Sequence, residues 1–133
     1  MKAMKAFVTR GLPHGARIVC CDNSGAKIIK VISVKTMKTV KGRASSAGIG
    51  DYILGSVVKG KPDMRKQVVP AVIVRQKKDY RRADGTRIRF EDNAAVVLKD
   101  EFGSLKGTMI KGPVAKEACD RWPTIAKMAS IIV

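Results

Sequence analysis

Six short runs of β-branched and other aliphatic residues, separated by turn residues, decide which folds are open to this chain. Strands at this spacing, without helices between them, are typical of a small closed barrel, and closure removes exposed strand edges. We therefore predict a mainly β protein with a small closed antiparallel barrel, in which Pro70 marks an edge or a bulge. The predicted strands are RIVCC (17–21), KIIKVISV (27–34), DYILGSVV (51–58), QVVPAVIVRQ (67–76), TRIRF (86–90) and AAVVLK (94–99).

The last third of the chain predicts helices instead of strands. Pro113 follows a glycine and suits the first position of a helix, and Pro123 ends that helix and begins a second one. We predict two short helices within residues 112–129, packed on the barrel, in a single domain that covers residues 1–133. Their apolar faces are Val114, Ala118 and Trp122 for the first helix, and Ile125, Met128 and Ala129 for the second.

The charge balance predicts a polyanionic partner. The chain has 27 basic and 11 acidic residues, a net charge of +16. Such a charge repels itself in a compact molecule unless a polyanion neutralises it. Binding to a membrane surface would require a basic amphipathic helix, and crossing a membrane would require about 20 consecutive apolar residues. A secretion signal would require an apolar block near the N-terminus. We find none of these. Nucleic acid is therefore the expected partner, with no membrane.

Three cysteines, Cys20, Cys21 and Cys119, are an odd number and include two neighbours. This is not a disulfide framework. We expect small buried side chains in a reducing, cytoplasmic compartment.

Motifs that would support catalysis are incomplete. GSVVKGKP (55–62) has the spacing of a phosphate-binding loop, but Pro62 stands where a magnesium-binding hydroxyl belongs. GIGDYILG (48–55) lacks the dinucleotide-binding pattern. His14 is the single histidine and makes no zinc spacing with the dispersed cysteines. We expect no enzyme, no cofactor and no metal.

Positive charge is concentrated in two segments. Residues 23–50 hold six bases and no acid, and RQKKDYRRADGTRIRF (75–90) holds seven bases against two acids. Arginine suits phosphate because its planar fork binds two oxygens at once. The predicted RNA-binding residues are Lys27, Lys30, Lys35, Lys38, Lys41, Arg43, Arg75, Lys77, Lys78, Tyr80, Arg81, Arg82, Arg87 and Arg89.

The second basic segment has the pattern of a hairpin. A two-residue turn at Asp84-Gly85 would put Arg82 directly opposite Arg87. Like charges in that position destabilise a sheet unless phosphates lie between them. Tyr80 lies among the arginines, and we expect it to stack on an exposed base.

Four motifs occur in order along the chain: VCCDNSGAK (19–27), AGIGD (47–51), AVIVRQKKDYRRADGTRIRFEDNAAVVL (71–98) and KGTMIKGPVAKE (106–117). Together they resemble the universal large-subunit ribosomal protein family called L-fourteen. KGKPDMRKQVVPAVIVRQKKDYRR (59–82) and ACDRWPTIA (118–126) are similar to archaeal and eukaryotic members. The short N-terminus favours the archaeal branch.

The resemblance implies a five-stranded barrel, a protruding basic hairpin and a C-terminal helical part. It implies a structural role in translation: binding large-subunit rRNA near the subunit interface and contributing to bridges with small-subunit rRNA. The implied protein partners are the third large-subunit protein, L-twenty-four-e and initiation factor six, an anti-association factor. Met109 stands where bacterial relatives usually have arginine, so that contact is not carried over. Candidates for the protein-partner face are Lys106, Thr108, Lys111, Lys116 and Glu117.

Two other functions are weighed against this one. A free single-stranded RNA-binding barrel, acting as a chaperone or regulator, would need several exposed aromatic side chains as a stacking platform. An enzyme acting on RNA would need acids or histidines that converge in a pocket. The aromatic residues are scattered: Phe7, Tyr52, Tyr80, Phe90, Phe102 and Trp122.

Overall fold

Within residues 1–37 and 39–133, which this computed structural model describes, five strands close into a barrel, and three pairs of two-residue strands and two short helices surround it. The elements in chain order are β1 Leu12–Pro13, β2 Arg17–Cys20, β3 Ala26–Val34, β4 Ser46–Ala47, β5 Tyr52–Gly60, β6 Val68–Arg75, β7 Tyr80–Arg81, β8 Arg87–Ile88, β9 Ala94–Val97, β10 Pro113–Val114, α1 Lys116–Arg121, α2 Pro123–Met128 and β11 Ile131–Ile132. The predicted mainly β class, closed barrel and two C-terminal helices are confirmed.

The barrel has the strand order β2-β3-β5-β6-β9 and closes by pairing β9 with β2. That closing pair is parallel, with Val19 opposite Ala94 and Cys20 opposite Ala95, whereas the other four pairs are antiparallel. The expectation of a fully antiparallel barrel is therefore wrong. The reason is geometric: strand direction cannot alternate all the way around a ring of five, so at least one neighbouring pair must be parallel.

Pro70 is a paired residue of the barrel strand β6 and lies at neither an edge strand nor a bulge. It pairs in regular register with Leu54, and the irregularity of β6 falls between Ile73 and Arg75. The nitrogen and carbonyl of one residue in an antiparallel strand point to the same neighbour. The Pro70 carbonyl accepts a hydrogen bond from Leu98 N at 2.9 Å, just beyond the end of β9. The Pro70 nitrogen therefore points beyond the end of β9, and its missing N–H interrupts no hydrogen bond between β6 and β9.

The core includes both faces of β9 and most of β6. All four residues of β9 are buried, as are the last five of β6. Their inner faces fill the barrel, and α1 and β10 contact the outer face of β6. Trp122, between the two helices, is buried and donates from Nε1 to Gly50 O at 2.9 Å. The C-terminal part is thereby fastened to one side of the barrel.

The first helix begins later than predicted. Pro113 belongs to β10, which pairs in parallel with β11, with Pro113 opposite Ile131 and Val114 opposite Ile132. The helix starts at Lys116, after Ala115 in extended conformation. Local sequence suggested a proline-initiated helix, but pairing with a segment some 20 residues later keeps the backbone extended. Pro123 does occupy the first turn of α2, as predicted.

The three cysteines are free thiols. Cys21 and Cys119 are buried and Cys20 is partly buried, which agrees with the expected small packed side chains. Burial raises the pKa of Cys21 and of Cys119 to about 11. Among the described residues, no helix has the length and apolar character needed to cross a membrane. The single domain covering 1–133 stays a prediction, supported by a hydrophobic cluster that runs from Leu12 to Ile125.

Candidate nucleic-acid interface

The β7–β8 pair forms the predicted hairpin, which we call the basic hairpin (residues 80–89, with Arg89 directly after β8), but its turn is one residue longer than expected. Arg82 N donates to Thr86 O at 2.9 Å, and Gly85 N donates to Arg82 O at 3.0 Å. Gly85 has φ 91°, the left-handed conformation that glycine adopts without strain. The loop is therefore 83–85, a turn followed by a left-handed glycine. The two-residue turn is wrong because Gly85 occupies the bulge position instead of the second turn position.

The longer loop changes which arginines face each other. Arg81 lies opposite Arg87, and Arg82 does not. Arg87 Nη1 donates to Asp79 Oδ2 at 2.9 Å, and this hydrogen bond lowers the pKa of Asp79. Among the described residues, Arg81 and Arg89 form no ion pair. The hairpin therefore presents guanidinium groups that its own carboxylates do not neutralise.

Tyr80 is an anchor of the hairpin and not a stacking platform. Its side chain is 0% exposed, and Oη donates to Glu117 Oε2 at 2.7 Å. Burial, with this hydrogen bond, raises the pKa of Tyr80 above its usual value, so the phenol stays neutral and donates. The expectation that Tyr80 stacks on a base is wrong in this structure, because no face of the ring is open to a ligand.

Arg82 ties the same hairpin to the C-terminal part. Its Nε donates to Glu117 Oε1 at 2.8 Å and its Nη2 to Val133 O at 2.6 Å. Glu117 is buried, so it does not offer the exposed partner contact predicted for it. Its role as the carboxylate that holds the hairpin was missed. The sequence places Glu117 in a predicted helix and Tyr80 and Arg82 in a predicted hairpin. It does not show that the helix and the hairpin lie next to each other, so the contact could not be predicted.

Arg75 is also structural. It is 8% exposed, and its guanidinium grips Asp92 through Nε at 2.8 Å and Nη2 at 3.1 Å. Nη1 donates to Lys111 O at 3.0 Å and Pro113 O at 2.9 Å. Four of its five N–H donors are therefore used inside the protein. Arg75 does not contact RNA in this conformation, which corrects its place among the RNA-binding residues.

The strand directions show which predicted residues share one end of the barrel. β3 and β6 run in the same direction, since each is antiparallel to β5. The loop after β3 and the segment after β6 therefore leave the barrel at one end, which carries the exposed bases Lys35, Lys41, Arg43, Lys77, Lys78, Arg81, Arg87 and Arg89. Lys27 lies at the other end, and Lys30 lies on the outer barrel face opposite Arg17. Lys38 lies outside the described residues.

Among the described residues, Lys78 and Arg87 of this group pair with Asp79, and Lys35 has a partner farther away in the sequence. It forms an ion pair with Glu101 and lies over the ring of Tyr52, 5.2 Å from its centroid.

The predicted protein-partner face divides into two places. Thr108 is exposed and held by Asn23, whose Oδ1 accepts from Thr108 N at 2.7 Å and whose Nδ2 donates to Thr108 Oγ1 at 2.8 Å. Lys106 and Lys111 are exposed on the same segment after β9, whereas Lys116 is exposed on α1. These four residues stay candidates for protein contacts.

Catalytic geometry was also sought. Within residues 1–37 and 39–133, no three His, Cys, Asp or Glu side chains come together as metal ligands. His14 is exposed and no acid pairs with it in that part of the chain. The arrangement can bind anions through arginine and lysine.

Comparison with known proteins agrees with this basic barrel. Residues 11–133 match the family model described as Ribosomal protein L14p/L23e. The proteins named large ribosomal subunit protein uL14 include one from Methanococcus vannielii, 55% identical over 132 residues and 99% of each chain. Those of Nanoarchaeum equitans and Picrophilus torridus are 55% and 56% identical over 133 residues and 100% of each chain. The resemblance to archaeal members is thus confirmed, and the chain belongs to the ribosomal protein L14p/L23e family.

Proposed function

We propose that this chain binds large-subunit rRNA near the subunit interface and contributes to bridges with small-subunit rRNA. At the coarser level, it is a structural protein of the large ribosomal subunit and not an enzyme. As a ribosomal protein it is located on the cytoplasmic ribosome.

The observation that carries the proposal is the anchored basic hairpin. Tyr80 and Arg82 fasten its base to Glu117, while Arg81 and Arg87 face each other across its strands and Arg89 follows. Facing like charges cost stability in isolation, and phosphates between them would remove that cost. Because A-form RNA hides its base edges in a deep, narrow groove, we expect contacts to phosphate and sugar more than to bases. The proposed RNA-binding residues are then only those predicted lysine and arginine residues whose side chains are exposed.

Protein neighbours form a second part of the proposal. The third large-subunit protein and L-twenty-four-e are proposed as contacts on the subunit. Initiation factor six is proposed to use the exposed segment that carries Lys106, Thr108 and Lys111. Exposure of these side chains, on a segment fixed by Asn23, supports a protein contact there.

The alternative of a free single-stranded RNA-binding barrel is disfavoured by the aromatic side chains. Tyr52, Tyr80, Phe90 and Trp122 are buried. Only Phe7 and Phe102, 94% and 89% exposed, present rings among the described residues, and they lie on separate segments. A stacking platform needs several neighbouring rings.

Sedimentation tests the proposal. A tagged copy with Arg81, Arg87 and Arg89 changed to Ala should keep its melting temperature, because all three side chains are exposed. Its incorporation into large subunits on sucrose gradients should fall about tenfold, since charge-assisted contacts are lost. A matched control changes the exposed Lys2, Lys99 and Lys127 to Ala.

The two outcomes that count against the proposal differ. Wild-type protein that stays at the top of the gradient would contradict the ribosomal role itself. Normal incorporation of the hairpin variant would contradict only the claim that the hairpin anchors the protein.

A further inference from the structure

A second basic surface lies at the end of the barrel away from the basic hairpin. It is formed where the loop 61–67 meets the β2–β3 turn, and we call it the turn patch: Lys27, Lys59, Lys61, Arg65 and Lys66. We propose that the turn patch is a separate binding site for the phosphate backbone of rRNA. This inference deepens the proposed function and rests on it.

The loop that carries the patch is held by the core. Met64 is buried, and Met64 N and Arg65 N donate to Lys61 O at 3.0 and 3.1 Å. Gln67 Nε2 closes the loop on Asp63 O at 2.6 Å. The one long apolar side chain thus points inward while the basic side chains point outward. A rigid loop loses little conformational entropy when it binds a ligand.

Two turns are locked together to make one surface. Lys61 N donates to Gly25 O at 2.9 Å, and Ala26 pairs with Gly60. A Cβ on Gly25 would lie 3.2 Å from Lys61 Cδ, so the aliphatic stem of Lys61 packs against this glycine. Lys27 and Lys59, which flank the paired residues, therefore join the loop lysines in one patch.

The patch is not neutralised by the protein. Among the described residues, none of its five bases forms an ion pair, and neither does Asp63. Lys66 even adopts φ 64°, the left-handed conformation that side-chain-bearing residues rarely adopt. A protein that keeps five unpaired cations on one loop and the two adjoining strand ends gains stability when an external polyanion binds there.

The side-chain types favour RNA phosphate over a protein partner. Protein interfaces are depleted in lysine and enriched in aromatic residues at their centres. The turn patch has four lysines, one arginine and no aromatic residue. Lysine and arginine on phosphate oxygens position a protein on nucleic acid without reading sequence. The expected ligand is therefore an RNA backbone, bound largely independently of sequence.

The turn patch and the basic hairpin are distant enough to act independently. They leave opposite ends of β6, which has 8 residues. At about 3.3 Å per residue, those ends are about 25 Å apart. Two such sites hold the protein on folded RNA at two points, and losses at the two sites should add.

The test measures how binding to deproteinised large-subunit rRNA depends on salt. Each lost phosphate contact lowers the slope of log affinity against log salt by about 1. Lys59→Gln, Lys61→Gln and Arg65→Gln together should lower its magnitude by about 3. The hairpin variant Arg81→Gln, Arg87→Gln, Arg89→Gln should do the same, and the combined variant should lose both amounts. Lys66 is not substituted, because its backbone is in the left-handed conformation and a change there could alter the shape of the loop.

A matched control removes three exposed charges outside both surfaces: Lys2→Gln, Lys99→Gln and Lys127→Gln. Its slope should stay within about 1 of wild type, which separates local contacts from net charge. If the hairpin variant loses binding while the turn-patch variant matches the control, the turn patch is not an RNA site and an acidic protein becomes its better occupant. If wild-type protein shows no salt-dependent rRNA binding, the proposed function itself fails.

Discussion

At the scale of single residues, arginines close together in the sequence do different work. Arg75 donates hydrogen bonds to Asp92, and Arg82 donates to Glu117 and to the backbone carbonyl of Val133. Arg81 points to solvent with no partner among the described residues. Burial decides the difference, because a buried guanidinium must be paired to offset its desolvation. Counting basic residues therefore overstates the RNA-contacting surface.

Glu117 gives the residue-scale prediction. Glu117→Ala should lower the free energy of unfolding by about 2–3 kcal/mol, since it leaves the Arg82 guanidinium and the buried Tyr80 hydroxyl without their acceptor. Urea denaturation measures the loss. Asp120→Ala, an exposed acid on the same helix, is the control and should stay within about 0.5 kcal/mol of wild type. Equal free energies of unfolding for the two variants would contradict the role of Glu117 in holding the hairpin.

At the scale of elements, the hairpin shows how turn chemistry sets geometry. An Asp-Gly pair between two strands is a strong hairpin signal, and the hairpin does form. The signal does not distinguish a two-residue turn from a three-residue loop with a left-handed glycine. That choice shifts the pairing by one residue and places Arg82 beside Glu117 instead of opposite Arg87. The anchor therefore depends on the loop length.

Gly85 gives the element-scale prediction. Gly85→Ala should destabilise the hairpin by about 1 kcal/mol, because φ 91° is strained for a residue with a Cβ. Among the described residues, no heavy atom beyond the two chain neighbours of Gly85 lies within 4 Å of that Cβ, so the effect is conformational. Hydrogen exchange of the Arg82 amide, bonded to Thr86 O, should become faster. Gly85→Asn is the control and should have a smaller effect, since asparagine tolerates this conformation. Unchanged exchange in Gly85→Ala would contradict the assigned loop.

At the scale of the whole molecule, the barrel separates two charged ends around one core. The basic hairpin and the turn patch project from opposite ends of β6. The C-terminal helices cover one outer side of the barrel through Trp122. Because every barrel strand is paired on both sides, unfolding should be cooperative and should report on groups buried anywhere in the core.

The buried thiols give the whole-molecule prediction. Burial raises the pKa of Cys21 and Cys119 from 9.0 to about 11. Above pH 9 the unfolded chain releases these protons while the folded protein keeps them. Their contribution to stability is complete below pH 9 and is lost as the pH rises through 11. The free energy of unfolding, measured under reducing conditions, should therefore fall over this range.

A double variant separates the thiols from other groups. Lysines and tyrosines also titrate in this range, so wild type is compared with Cys21→Ala, Cys119→Ala. The variant should show a shallower fall between pH 9 and pH 11. Parallel curves for the two proteins would show that the thiols do not contribute.

The sequence by itself determined the five strands of the barrel, its closure and the basic character of the surface. These follow from local causes: β-branched runs, turn residues at fixed spacing and the count of charged side chains. The family could likewise be inferred from four ordered motifs, and the comparisons agree. Tertiary structure alone decided the parallel closure between β2 and β9, the strand at Pro113 and the division of arginines into buried anchors and exposed contacts. Each of these depends on a partner distant in the chain, because pairing and desolvation are properties of contacts that form only when the molecule folds.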